Sequence, residues 1–463
     1  MTTDAIEVEV IETSSLGDRS YLATDGNAAV VVDPQRDIDR ILALAGQLGA
    51  DITHVVETHI HNDYVSGGLE LSRLTGADYG VAAADDVPFQ RAPLSDGDTV
   101  EVSDRMRLRA LATPGHTFHH LSYVLEGPEG PEGVFTGGSL LFGTTVRTDL
   151  RGAAHAETLA RHQHASARRL ADVLPEGASI WPTHGFGSFC TAAAAQTDDS
   201  TLGRERQANP ALRLAADAFV TQTLAGLDAY PAYYVHMGVA NLVGPEPVDL
   251  RAPHQADPNE LRRRLDKGEW VVDLRHRTAY VQGHVAGTVS LGLDGPMATW
   301  LGWMIDWGAP LTLLGDSPEQ VARAQRELVR IGVDRVEAAA TGEPAELAAG
   351  SEQVRALASA DFAEVARVLA AEAGGSGSGE VVLDVRLNNE WSASHVAGAI
   401  HIPLPQVARR IGEIPPGRVW VHCGSGYRAA AAASLLDAAG RDVVLIDDVF
   451  AEAAPSGVPM TEG

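Results

Sequence analysis

A short string occurs twice in the second half of this chain. Val271-Val272-Asp273-Leu274-Arg275 returns as Val382-Leu383-Asp384-Val385-Arg386, and His284-Val285-Ala286-Gly287 returns at the same offset as His395-Val396-Ala397-Gly398. Self-similarity at a fixed spacing means one folding unit used twice, so residues 256–345 and 358–463 are expected to be two copies of one domain. In each copy an apolar run (Leu311 to Leu314; Val419 to Val421) leads through a short loop to an Ala-rich helical stretch (Val321 to Val329; Ala429 to Ala438), the strand-then-helix order of a parallel sheet. The run Gly374 to Gly379 reads as a flexible loop inside the second copy, because a helical pattern from Phe362 to Ala371 precedes it.

Residues 1–245 alternate short β-branched runs (Ala29 to Val32, Ile52 to Val56, Leu121 to Leu125) with helical patterns (Ile38 to Leu48, Leu159 to Leu174), again α/β. Thr58-His59-Ile60-His61-Asn62-Asp63-Tyr64 leaves one of these runs and opens onto Ser66-Gly67-Gly68. Two histidines and a carboxylate at alternating positions on such a turn can converge on one metal ion from one side. Pro114-Gly115-His116-Thr117, Phe135-Thr136-Gly137-Gly138-Ser139 and Pro182-Thr183-His184-Gly185 look built to complete that site.

Against 35 basic residues stand 62 acidic ones, a net charge of -27, which opposes binding to nucleic acid or an anionic membrane. No apolar run approaches a membrane span, and the first residues, Met1 to Glu9, are polar and acidic, so the chain reads as a soluble cytoplasmic protein. A homo-oligomer is left open. The two cysteines, Cys190 and Cys423, lie far apart in sequence and form no disulfide framework. Each is explained by its own chemistry.

His422-Cys423-Gly424-Ser425-Gly426-Tyr427-Arg428 joins a strand to a helix, so backbone N–H groups and the positive end of a helix dipole can face the sulfur. With Arg428 nearby, this setting favours a thiolate that accepts a sulfur atom and holds it as a persulfide. Gly424, Ser425, Gly426 and Tyr427 are then candidate substrate-binding residues. The loop is one residue shorter than that of cysteine-dependent phosphatases and resembles the rhodanese family, a resemblance extended by Asp384, Arg386, Glu390 and the segment from His395 to Ala399. In the first copy Gly315 takes the place of the cysteine and Gln320 that of the arginine, so that copy is expected to be inactive and kept for packing or docking.

The N-terminal part resembles the metallo-β-lactamase superfamily. Its pattern, HxHxDH followed by a His, an Asp and a His, reads here as His59, His61, Asp63, Tyr64, His116, Gly138 and His184. The resemblance implies an αββα metallo-β-lactamase sandwich followed by two α/β rhodanese-like domains with parallel sheets. With Tyr64 and Gly138 in place of two ligands, it implies at most one metal. A metallo-β-lactamase domain joined to rhodanese repeats is similar to the persulfide dioxygenase group, which oxidises a thiol persulfide such as glutathione persulfide to sulfite with O2 at one non-haem Fe(II). Carried over, the family's iron ligands give His59 and His116. The Asp does not carry over, and His61 is the expected third ligand. Asp63 and His184 are then expected in the cleft, Arg147 of Arg147-Thr148-Asp149 as a contact for substrate carboxylates, and Cys190 as either a structural thiol or a relay for sulfur from Cys423. Thiosulfate is the expected donor to Cys423. The alternatives are a sulfurtransferase or sulfur carrier with a metal-poor N-terminal domain, and a glyoxalase II-like thioester hydrolase using zinc.

Overall fold

The computed structural model describes residues 5–191, 197–371 and 379–462. The stretch from Gly374 to Ser378, expected as a loop, lies outside the described residues. The chain divides into two compact units, residues 1–249 with 329–332, and residues 250–328 with 333–463. Both repeats thus share the second unit. No described helix is long and apolar enough to cross a membrane.

The first unit is a sandwich of two sheets. One contains β1 (Glu7–Thr13), β2 (Asp18–Thr24), β3 (Ala28–Val32), β4 (Asp51–Val56), β5 (Asp78–Ala82) and β6 (Ala92–Leu94), in that spatial order. The other contains β7 (Thr99–Glu101), β8 (Arg107–Ala112), β9 (Leu121–Gly127), β10 (Gly130–Gly137) and β11 (Ser179–Pro182). Tyr21, Val30 and Val56 of the first sheet pack against Leu108, Tyr123 and Phe135 of the second, which the strands' two-residue alternation allows. The outer faces are apolar as well. One is covered by α1 (Asp39–Leu48) and α2 (Gly68–Thr75) through Ile41, Ala45, Leu69 and Leu71. The other is covered by α3 (Ala156–Val173) through Ala160, Ala167 and Leu170. These four layers are the expected αββα sandwich, and each fully buried Leu, Val or Phe adds roughly 1.5–3 kcal/mol to it.

Strand ends, not strand centres, carry the polar residues of interest. Asp33 follows β3, Glu57 to Tyr64 follow β4, Thr113 to His120 join β8 to β9, Gly138 follows β10, and His184 follows β11. Turns at strand ends are where a rigid sheet can aim side chains into a shared space.

In the second unit, two five-stranded parallel sheets repeat one topology. The first runs His254–Gln255, Val336–Thr341, Leu311–Gly315, Trp270–Asp273, Val289–Ser290 across the sheet, and the second runs Ala358–Ala360, Val443–Ile446, Arg418–His422, Glu380–Asp384, Ile400–His401. The shared string falls on equivalent central strands. There Asp273 pairs with Arg275 and Asp384 with Arg386, each at 2.6 Å and buried, so the repeated Asp and Arg fix the same turn in both copies.

Candidate metal centre and sulfur-transfer loop

Three buried histidines from three separate strand ends come together. The ring centroids of His59 and His116 are 4.8 Å apart, those of His59 and His184 5.4 Å, and those of His116 and His184 5.3 Å. One nitrogen of each lies within 4.8 Å of the others, and the Nε2 atoms of His59 and His184 approach to 3.5 Å.

The opposite nitrogens decide what these Nε2 atoms can do. His116 Nδ1 lies 3.0 Å from the Arg147 carbonyl oxygen, which only accepts, so Nδ1 carries the hydrogen. His184 Nδ1 lies 2.9 Å from Asp18 Oδ1 and 3.1 Å from Asp63 Oδ2, and donates likewise. His59 Nδ1 is 2.9 Å from Thr58 Oγ1, whose own hydrogen goes to Asp33 Oδ2 at 2.7 Å, so the threonine accepts from the ring. In the neutral rings all three Nε2 lone pairs therefore face one another. His116 Nε2 is buried with no hydrogen-bond partner. Burial first, then the neighbouring histidines, hold His59 well below the usual histidine range; burial above all takes His116 down to about 3. His59 and His116 are thus neutral nitrogen donors suited to a divalent transition metal. Burial opposes charge on His184, but Asp63 and Asp18 outweigh it and raise it well above the usual histidine range, so a metal there would displace a proton from its Nε2, with the outer carboxylates and carbonyl orienting the ligating imidazoles.

His61, expected as the third ligand, lies beside this group, its ring centroid 4.1 Å from that of His59, but its Nε2 is engaged by other partners. Its Nε2 lies 3.2 Å from Asp33 Oδ1, 3.2 Å from Glu57 Oε2 and 3.0 Å from the Tyr64 hydroxyl. Burial opposes its charge, but Asp33 and Glu57 outweigh burial and raise it to about 9. Its Nδ1 is buried with no hydrogen-bond partner, and one of its nitrogens groups with Asp63 and His184, while the nitrogens that lie together with those of His59 and His116 are those of His184. Asp63 sits behind His184; burial opposes its ionisation, and the adjacent imidazole holds it well below the carboxylate range.

The His116 ring packs closely over Gly138. A Cβ built there would lie 2.9 Å from His116 Cδ2 and 3.1 Å from Val146 Cγ2, so the His116 ring takes the room a carboxylate would need. The Gly138 N–H donates to His120 Nε2 at 3.1 Å, and His120 stacks on His59 with centroids 5.0 Å apart.

Two further expectations concern Arg147 and Cys190. The Arg147 guanidinium donates to Asp149, at 2.7 and 2.8 Å, and to the carbonyls of Phe189 and Asp228, and it lies against the Tyr230 ring. These contacts brace the backbone whose carbonyl orients His116. Cys190 is fully buried, with its thiol donating to Asp63 Oδ2 at 3.2 Å. Burial and that carboxylate push the thiol well above its ordinary range, which favours the structural reading over a relay that needs a thiolate.

Asp33, Asp18 and Glu57 escaped the sequence reading. Among the described residues Asp33 is the one non-glycine residue with positive φ, at 52°. Its carboxylate accepts from the Thr58 backbone N–H at 2.6 Å, from the Thr58 hydroxyl and from the Thr183 hydroxyl, and so braces the segments bearing His59 and His184. The signal available was Asp33-Pro34 at the end of an apolar run. Asp33→Asn keeps a side chain that tolerates this φ but loses the charge. It is expected to weaken metal binding roughly 10–100-fold, measured by competition with a chelator.

In the second repeat, Cys423 follows the strand Arg418–His422 and precedes the helix Tyr427–Ala438. The Gly426 N–H lies 3.2 Å from Cys423 Sγ and the Ser425 N–H 3.5 Å. Gly426 has φ 90°, which a β-carbon disfavours, so glycine there lets the loop turn its amides inward. Arg428 is clamped by Glu390 at 2.5 and 2.7 Å. Tyr427, expected to bind substrate, instead donates its hydroxyl to the Gly292 carbonyl at 2.8 Å. Gly424 lies beside Arg428, with Nη2 3.0 Å from where its Cβ would be. In the first repeat the equivalent loop is closed on itself. Gln320 Oε1 accepts from the Asp316 N–H at 2.6 Å and its Nε2 donates to the Leu274 carbonyl.

Comparison with known proteins follows this division. Residues 18–177 match the profile of the metallo-beta-lactamase superfamily, and residues 369–452 that of the rhodanese-like domain. Human mitochondrial persulfide dioxygenase ETHE1 is 29% identical over 240 residues, 51% of this chain and 80% of its own. A hydroxyacylglutathione hydrolase from Gloeobacter violaceus is 30% identical over 202 residues, 42% of this chain and 75% of its own. A solved metallo-beta-lactamase from Staphylococcus aureus subsp. aureus COL superposes with a TM-score of 0.65 at 27% identity, covering 73% of this chain and 100% of that one.

Proposed function

Because this chain belongs to the metallo-β-lactamase superfamily and carries a C-terminal rhodanese-like domain, we propose that it is a fusion enzyme of sulfur metabolism. Its N-terminal part oxidises a low-molecular-weight thiol persulfide to sulfite with O2, and Cys423 transfers sulfane sulfur between a donor and a thiol. The observation that carries this reading is that one chain holds both a buried three-histidine cluster and a short cysteine loop whose backbone N–H groups face the sulfur. The persulfide dioxygenase relative supports it.

His59, His116 and His184 would hold one metal, with iron favoured. When bound, Fe(II) supplies the redox chemistry for O2 and open positions for substrate. With three neutral ligands instead of two and a carboxylate, the site carries one more net positive charge, which favours an anionic persulfide. This chain's own residues do the rest. Asp33, through Thr58, keeps the His59 hydrogen on Nδ1. Asp18 and Asp63 do the same for His184, and the Arg147 carbonyl for His116. Overall the reaction is RSSH + O2 + H2O → RSH + SO3²⁻ + 2H⁺. Fusion to Cys423 makes delivery of persulfide a local event within one chain, where effective concentration replaces free diffusion.

A zinc thioester hydrolase is the second reading. Three histidines are also a zinc donor set, and the hydroxyacylglutathione hydrolase relative favours it. Against a two-metal form stand Tyr64 and Gly138, which replace two of the ligands in the superfamily's pattern. Purification without oxygen, metal quantitation, and O2 uptake on glutathione persulfide decide between them. Iron with persulfide-dependent O2 uptake is expected. Zinc with release of free thiol from an acyl-thiol in the absence of O2 would overturn the oxidative reading.

A further inference from the structure

The first repeat has no cysteine in its loop, yet it touches three consecutive residues of the loop that has one. Arg277 opens the helix Arg277–Gln282 of the first repeat, and its Nε donates to Asp447 Oδ1 of the second repeat at 2.6 Å. That places the guanidinium against Gly426, 3.0 Å from where a Cβ would stand, and Gly426 N–H is one of the two amides facing Cys423 Sγ. Tyr427 hydrogen-bonds to Gly292 and packs its ring where a side chain on Gly295 would be. The Arg428 guanidinium lies over the Trp300 ring at 5.5 Å.

The charges around Cys423 leave a task undone. A thiolate that takes sulfur from an anionic donor must meet like charge, and the loop's own cation, Arg428, is held bidentately by Glu390. Arg277 is a second cation, 23% exposed. Its Nε is committed to Asp447 and its Nη1 faces Asp294 at 3.1 Å, while among the described residues its Nη2 has no hydrogen-bond acceptor. Burial lowers the affinity of Arg277 for its proton, and the hydrogen bond to Asp447 above all, with Asp294, more than restores it, so it remains a cation beside the loop. A planar guanidinium suits an oxyanion.

We propose that Arg277 of the cysteine-less repeat is the anion-selecting residue of the Cys423 site, engaging the oxyanion end of a thiosulfonate donor, of which thiosulfate is the simplest. The Cys423 thiolate attacks the outer sulfur, the donor's S–S bond breaks, and sulfite leaves with the bonding pair. Cys423 is left as a persulfide anion, with three negative charges on each side. Arg277 holds the sulfonate oxygens before the attack and the departing sulfite after it. The first repeat is then a working half of the site, which accounts for its keeping the fold while losing the nucleophile. This inference rests on the reading of Cys423 as a sulfur acceptor.

The test uses the full chain as wild type, Arg277→Gln, Arg277→Lys and Cys423→Ser. Thiocyanate formation from thiosulfate and cyanide gives kcat and KM, and titration calorimetry gives sulfite binding. Arg277→Gln is expected to raise the thiosulfate KM about tenfold, with kcat within about twofold, as loss of one charge-assisted contact to substrate predicts. Sulfite binding should weaken in parallel, and alkylation of Cys423 by uncharged iodoacetamide should stay within about twofold of wild type. Arg277→Lys, which keeps the charge without the fork, is expected to fall between and serves if the glutamine variant does not fold. Equal KM and equal sulfite binding in all Arg277 variants would overturn the proposal. So would a fall in kcat and in alkylation at unchanged KM, which marks a residue that only holds the loop. A wild type that forms no Cys423-dependent thiocyanate overturns the sulfur-acceptor reading instead, and sulfite binding lost in Arg277→Gln would still sustain the anion site.

Discussion

His116→Ala is expected to empty the metal centre and lower persulfide-dependent O2 uptake by more than about 100-fold, since changes behind a ligand already cost 10–100-fold and this one removes the ligand. His116 has the most constrained of the three rings. Its Nδ1–H is fixed by the Arg147 carbonyl, its edge fills the space over Gly138, and its Nε2 has no protein partner. The variant leaves a cavity and an unmet carbonyl, costing about 1–3 kcal/mol, so thermal unfolding is recorded beside metal content. A folded variant that retains stoichiometric metal and full uptake would show that the centre is elsewhere. His61→Ala makes the contrast sharper. With its charge paired to Asp33 and Glu57, it should destabilise the fold more than it reduces the metal bound per folded molecule.

Cys423→Ser is expected to abolish sulfur transfer, by at least about 1000-fold, while leaving O2 uptake on added persulfide unchanged. The substitution keeps the size and the facing N–H groups of Ser425 and Gly426, but a serine hydroxyl without a base is a poor nucleophile at neutral pH, and no persulfide forms on oxygen. Mass spectrometry after thiosulfate treatment reads this directly as an added sulfur atom on Cys423 in the wild type and none in the variant. Transfer that survives in Cys423→Ser would move the chemistry to Cys190, whose thiol is held protonated against Asp63.

Much of this molecule is determined by sequence alone, and the reason is locality. The duplicated α/β domains follow from the repeated Asp and Arg, which bond to each other across one intervening residue. Cys423 and Arg428 share one short loop, so spacing was enough to read it, and the loss of cysteine at Gly315 was equally plain. His59 and His116 could be picked out because each sits in a short segment of recognisable type just after a strand. What only the tertiary structure decided depends on partners far along the chain. His184 meets Asp18 across 166 positions, Asp33 reaches Thr183 across 150, and Arg147 closes on Asp228 across 81. Sheet packing brings these groups together, and no periodicity records it. Both His184 and His61 find two buried carboxylates that raise their affinity for a proton; what groups His184 with His59 and His116 is that its carboxylates take Nδ1, whereas those of His61 take Nε2.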